Sequence, residues 1–276
     1  MTASLISAPR QVLTLRWQPN KDMLVVALSW LLVVGALYTA TVVVGTEALG
    51  GLAYFGLYAV LGATVVGIGL PLFWMTVVRH RPLTDLGITR RHLGKSLLLQ
   101  VILSGLLYAS ALADASLPTF EQFVPLVALA LAIGFFEAVF WRGWVLLRLE
   151  ESFGFLPALV LGSVLYALYH VGYAMPMDEI GFLFFIGVLY AVTFRLTNSV
   201  FILWPAFQPL GQLLTLVRDG LTLPFLSALG FAEVLVAMLV IVYLAGRYHR
   251  RWVKKESKAE QAHIFTTVAA EGHGVR

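Results

Sequence analysis

Gly134-Phe135-Phe136-Glu137-Ala138-Val139-Phe140-Trp141-Arg142-Gly143-Trp144 sets one carboxylate and one guanidinium inside an otherwise apolar run. No other charged residue falls between 123 and 147. A run of that length and polarity suits lipid or a packed helical bundle. An ionised side chain near a bilayer centre costs at least a few kcal/mol, so it is retained where a partner or a function compensates. The segment therefore poses two questions at once: how the chain spans a membrane, and what Glu137 faces.

Composition answers the first. Hydrophobic residues make up 59% of the chain and charged residues 12%, with a mean hydropathy of +0.86. These values describe an integral membrane protein. Cysteine is absent, which removes disulfides and thiolate metal sites. The excess of four positive charges sits in clusters without interleaved stacking aromatics, so nucleic acid is not an expected partner.

Eight apolar segments follow from the pattern: about 22–44, 51–78, 95–114, 122–148, 155–175, 180–196, 199–217 and 222–246. Each must be helical, because lipid cannot satisfy an unpaired backbone. The expected fold is thus all-α, a polytopic transmembrane bundle of about eight helices. Residues 1–21 read as a polar N-terminal segment followed by a retained first helix, since its apolar run is too long for a signal peptide. Residues 22–246 read as the bundle, and 247–276 as a basic, poorly ordered tail.

Arg79, Arg81, Arg90, Arg91 and Lys95 cluster after the second segment, and Arg247, Arg250, Arg251, Lys254 and Lys255 after the eighth. Glu47, Asp114, Glu121, Asp178 and Glu179 occupy the alternate loops. The positive-inside rule then puts both termini in the cytoplasm. Short loops without retention or lipidation signals suggest a prokaryotic cell membrane.

A hairpin organises the chemistry. Glu150-Glu151-Ser152-Phe153-Gly154 separates the fourth and fifth helices, with Gly154 a helix-ending residue. Glu137 precedes Phe153 by 16 residues and His170 follows it by 17. At 1.5 Å per residue both lie about 25 Å from the turn, so an antiparallel pair brings them to one depth. Ala130 and Gly134 on one face, with Ser163, Tyr166 and Ala167 on the other, permit close approach. Glu137 and His170 could there share a proton. Arg142 sits five residues beyond Glu137, an α-helical rotation of about 140°, and is expected on another face.

These residues also carry a resemblance. Glu137-Ala138-Val139-Phe140-Trp141-Arg142-Gly143 resembles the Glu-Glu-x-x-x-Arg-Gly motif of the CPBP family, the CAAX-type and bacteriocin-processing (Abi) intramembrane proteases. Tyr166-Ala167-Leu168-Tyr169-His170 resembles its Phe-x-x-x-His motif. Arg81–Ile88 and the stretch from Arg195 to Ala206 look like flanking parts of the same core, which spans about 80–215. The resemblance implies a membrane-embedded endopeptidase. Glu137 would be the base that activates water, His170 its partner, and Arg142 and Tyr166 structural or positioning residues.

The sequence departs from the family twice. Ala138 stands where the motif has its second Glu, and no His occurs between His170 and His249 to supply the third motif. Gln208 and Gln212, spaced by four, are the nearest equivalent and are candidate oxyanion donors. Metal dependence has been described for the family, but one Glu and one His supply too few ligands for a closed zinc site, and no cofactor or metal is expected. The expected partners are the bilayer and a membrane-associated peptide or protein substrate. Two alternatives remain: a degenerate relative that binds such a peptide without cutting it, and a channel or transporter component using Glu137 and His170 as a proton relay.

Overall fold

The computed structural model describes residues 15–45, 51–116 and 118–271. Arg10, Glu47 and the last five residues, 272–276, lie outside them. The described residues form helices joined by turns and loops, without strands. Seven helices are long and apolar enough to cross a membrane: α1 (Lys21–Val44), α2 (Leu52–Val78), α3 (Leu93–Asp114), α4 (Phe120–Phe153), α5 (Phe155–Tyr173), α6 (Met177–Arg195) and, beyond the shorter α7 (Phe207–Arg218), α8 (Ser227–Glu271). The chain is an integral membrane protein with a polytopic helical bundle.

Sequence chemistry sets the boundaries. Asn20 caps α1, its side chain accepting from the backbone N–H groups of Asp22 at 2.9 Å and Met23 at 3.3 Å. Gly154 ends α4 at φ +89°, as the hairpin pattern anticipates. Its N–H reaches back to the Glu150 carbonyl at 2.9 Å. Leu24, Leu106, Phe182 and Leu229 are exposed, as lipid-facing residues should be, while Phe136, Phe140, Trp144 and Tyr169 are fully enclosed.

The segment expected as a seventh spanning helix, 199–217, is instead broken. A single 3₁₀ turn (Val200–Ile202) and a bend precede α7, which has only 12 residues. Twelve residues rise about 18 Å, well short of the ~30 Å hydrocarbon layer. Pro205 is the physical cause, since it supplies no N–H and cannot continue the 3₁₀ turn into a helix. The exposed start of α7 is satisfied from α3: the side-chain amide oxygen of Gln100 accepts from the backbone N–H groups of Ala206 at 2.8 Å and Phe207 at 3.4 Å. Gln100 is buried, and the sequence alone had not singled it out.

The broken segment still traverses the bundle. Near one end, the backbone N–H groups of Arg16 and Gln18 pair with the carbonyls of Phe153 and Ser152, and Arg79 meets Asp22 at 3.1 Å. At that same end Gly246 of α8 approaches Leu83, and His80 stacks on Trp252 at 4.1 Å. The start of α8 lies at the opposite end, with Phe231 6.0 Å from Phe55. The chain leaves α6 near the first end, where Arg195 bonds Glu150 at 2.7 Å, and must reach the second end before α8 begins. Segment 199–218 makes that crossing, and its pieces pass α3 from Gln100 to Tyr108. The described parts of both termini therefore share one end of the bundle.

That end is tied by charge. Arg81 forks onto Glu151 at 2.6 and 3.0 Å and also bonds Asp85 at 2.6 Å, and Arg148 meets Glu151 at 2.9 Å. The hydrogen bonds that Arg81 donates to Glu151, with the one to Asp85, hold its guanidinium above the usual range despite partial burial. The network fastens the α2–α3 loop to the hairpin. Beyond it, α8 continues to Glu271, through much of the 247–276 stretch that the sequence pattern suggested as a poorly ordered tail. Residues 252–261 contain no Gly or Pro and are rich in Lys, Glu, Ala and Gln, all good helix formers.

Candidate active site

Glu137 lies near the middle of α4, 17 residues from its start and 16 from its end. It is 3% exposed. Its Oε2 accepts a hydrogen bond from the Gln208 amide at 2.6 Å and another from the Tyr166 hydroxyl at 3.4 Å. Three elements therefore converge on one side chain: α4 carries the acid, α5 the phenol, and α7 the Gln208 amide.

Gly134 makes the convergence possible. It lies one turn before Glu137, and a Cβ there would sit 2.6 Å from the Pro209 ring and 3.4 Å from Gln212 Oε1. Such a side chain would push α7 away from the carboxylate. Trp204 pins the same contact by donating its indole N–H to the Leu131 carbonyl at 3.0 Å. The close approach of α7 to α4 is thus built from a missing side chain and one directed hydrogen bond.

His170 is buried where the α-helical part of α5 ends, and its Nδ1 lies 3.0 Å from the Tyr166 carbonyl. A carbonyl only accepts, so Nδ1 carries the hydrogen and Nε2 is the acceptor in the neutral ring. The shared proton expected between Glu137 and His170 is not formed as a direct hydrogen bond: the acid bonds Gln208 and Tyr166 instead. Tyr166 joins the two, giving its hydroxyl to Glu137 and its carbonyl to His170. Beside the imidazole, the hydroxyls of Tyr58, Tyr169 and Tyr173 form a closed ring of hydrogen bonds.

Arg142 is where the helical-wheel expectation fails. Residues Ala138–Leu146 are wound as a π-helix, whose i→i+5 bonding stacks residues five apart. Arg142 is thereby brought back toward the side of Glu137, and both meet Tyr166, the acid at its hydroxyl and the guanidinium at its ring. Its guanidinium lies 4.9 Å from the Tyr166 ring centre and 5.9 Å from that of Tyr190. It is 1% exposed, yet Nε, Nη1 and Nη2 all lack a hydrogen-bond partner. Burying such an ion costs several kcal/mol, whereas each ring face returns about 2 kcal/mol when desolvated. The rings offset part of that cost and satisfy none of the five N–H donors.

Gly143, next in the motif, has a steric reason. A Cβ there would run into the backbone carbonyl of Leu86, so α4 packs directly on the 3₁₀ turn Leu83–Leu86. For a metal, the donor set does not fit: one carboxylate and one imidazole stand among amides and phenols. Among the described residues, no three His, Cys, Asp or Glu side chains gather.

Residues 118–207 match the family model described as type II CAAX prenyl endopeptidase Rce1-like. That family supports a CAAX-type membrane endopeptidase at family level, in agreement with the resemblance carried by Glu137–Gly143 and Tyr166–His170. The Rce1-like match covers about a third of the chain. It contains Glu137, Arg142, Tyr166 and His170, and it ends one residue before Gln208. No curated protein and no solved structure matches the chain.

Proposed function

We propose that the protein is a membrane-embedded endopeptidase in which Glu137 activates water to attack a peptide bond of a membrane-associated peptide or protein. The observation that carries this reading is the carboxylate itself: a mid-depth acid with Oε2 held by Gln208 and Tyr166. Both of those bonds fall on Oε2, which leaves Oε1 to take a proton from water. His170, oriented by its Nδ1 bond, offers Nε2 as the assisting group. Tyr166 positions both. Core residues are those at about 80–215, the bundle sits in a prokaryotic cell membrane, and the basic end shared by the termini faces the cytoplasm.

The Gln208 bond to Glu137 revises one role. An amide N–H committed to the acid is not free to donate to an oxyanion, so Gln208 serves as a positioning residue and Gln212 is the remaining oxyanion candidate. That observation, with Ala138 in place of a second acid, also favours a second reading: a relative that binds a membrane peptide without cutting it.

The test is cleavage of co-reconstituted membrane peptides. Glu137→Gln and His170→Ala should each lower the rate by about 10²–10⁴-fold while the protein stays monodisperse with an unchanged helical signal. Cleavage that survives Glu137→Gln would sink the mechanism. Wild-type protein that binds a peptide tightly and never cuts it would establish the second reading.

A further inference from the structure

We propose that Arg142 is the receptor for the terminal carboxylate of a bound peptide, an inference that rests on the peptide-binding reading above. The guanidinium is enclosed, its three nitrogens have no partner, and the nearest acid bonds elsewhere. Ala138 removes the acid that the motif would supply one turn before it. A carboxylate brought by a ligand meets the planar fork with two parallel bonds, a geometry that a lone hydroxyl or carbonyl does not match.

The surrounding unmet groups indicate the rest of that ligand. Gln208 Oε1 and Gln212 Oε1 are buried acceptors without donors, and Trp141 Nε1 and Ser163 Oγ are likewise unpaired. The Gln208 assignment is forced, since its Nε2 faces a carboxylate that can only accept. Ser163 lies 10 residues after Phe153 and Arg142 11 before it, so the hairpin sets them at one depth. Ser163 also meets Gly187 at the seam whose residues Tyr166 and Tyr190 underlie the guanidinium. Unmet acceptors beside unmet donors complement a peptide, which brings backbone N–H groups as well as a carboxylate. A fatty acid brings the carboxylate alone.

Access requires the helices to part, because Glu137, Arg142 and Gln208 are all at most 3% exposed. The unsatisfied guanidinium is then a reason for the open, ligand-bound state to be favoured. A peptide ending in an amide would enter the same space without quenching the charge.

The experiment uses full-length protein in nanodiscs and a farnesyl-cysteinyl tetrapeptide of otherwise apolar residues, as the free acid and as the C-terminal amide. Binding and cleavage are both read, with decanoate as a third ligand. The acid should bind at least about 30-fold more tightly than the amide. Arg142→Gln should bring both peptides to the same weak affinity. Arg142→Lys, which keeps the charge and loses the fork, should hold an intermediate preference and guards against a folding defect. Equal affinity for acid and amide in the wild type overturns the receptor, even if both are cut and the protease reading stands. An equal fall for both peptides in Arg142→Gln also overturns it, as a purely structural role would do. Arg142-dependent preference without any cleavage keeps the receptor and discards the protease. Decanoate binding as tightly as the acid, with the same dependence on Arg142, overturns the peptide assignment. Absence of binding by either peptide overturns the inference.

Discussion

The bond between Gln208 Nε2 and Glu137 Oε2, at 2.6 Å, is the shortest directed contact to the acid and joins two buried residues 71 positions apart. A hydrogen bond to a charged group is worth about 1.5–3 kcal/mol, and leaving a buried charge unmet costs more. Gln208→Leu should therefore destabilise the protein by about 3 kcal/mol, read as the shift of its unfolding transition in detergent. In a Glu137→Gln background the same change should cost distinctly less, giving a coupling of about 1.5–3 kcal/mol in a double-mutant cycle. Additive losses would mean that Gln208 does not hold the acid. At this scale the sequence was informative about identity and less so about pairing. Glu137, Arg142, Tyr166, Gln208 and Gln212 stand out because each is polar in an apolar run, and the structure brings all five together. His170 joins them through the backbone of Tyr166 rather than through its own bond to the acid.

Helix winding explains what the sequence could not show. An α-helical wheel turns Arg142 about 140° from Glu137, and only the π-turn across Ala138–Leu146 brings it back. No residue type announces a π-turn, since it is selected by packing around the helix. The same holds for the broken crossing at 199–218: Pro205 and Pro209 warn of irregularity, but Gln100, which closes the backbone there, is over 100 residues away. Close packing of elements is more legible, because glycine marks it. Gly143→Ala sets a Cβ against the Leu86 carbonyl, where backbone faces backbone and neither can yield. It should cost about 3 kcal/mol of stability. Gly105→Ala in α3 meets nothing within 4 Å and should gain up to about 1 kcal/mol from helix propensity. Paired thermal melts of the two variants test the contact directly, and equal melting temperatures would mean that α4 does not rest on the Leu83–Leu86 turn.

The whole molecule turns on parity. Seven uninterrupted spans among the described residues would put the two ends of the chain on opposite sides of the membrane, yet Arg16 and Gln18 lie at the same end of the bundle as Trp252. The broken segment resolves the conflict by running from one end of the bundle to the other without forming a spanning helix, so the eight helices expected from apolar runs become seven among the described residues. The natural absence of cysteine makes this measurable with single substitutions. In sealed inside-out vesicles, Gln18→Cys and Lys258→Cys should both react with a membrane-impermeant maleimide. Thr119→Cys, before α4, and Thr222→Cys, before α8, should react only after the vesicles are opened. Because Arg79, Arg90 and Arg91 share the end that carries Gln18 and Trp252, the positive-inside rule predicts that this end faces the cytoplasm, and right-side-out vesicles should reverse all four results. Labelling of Gln18→Cys and Lys258→Cys from opposite faces would show that 199–218 turns back instead of crossing. That outcome would place α7 and its two amides in a re-entrant loop and require a different path to Glu137.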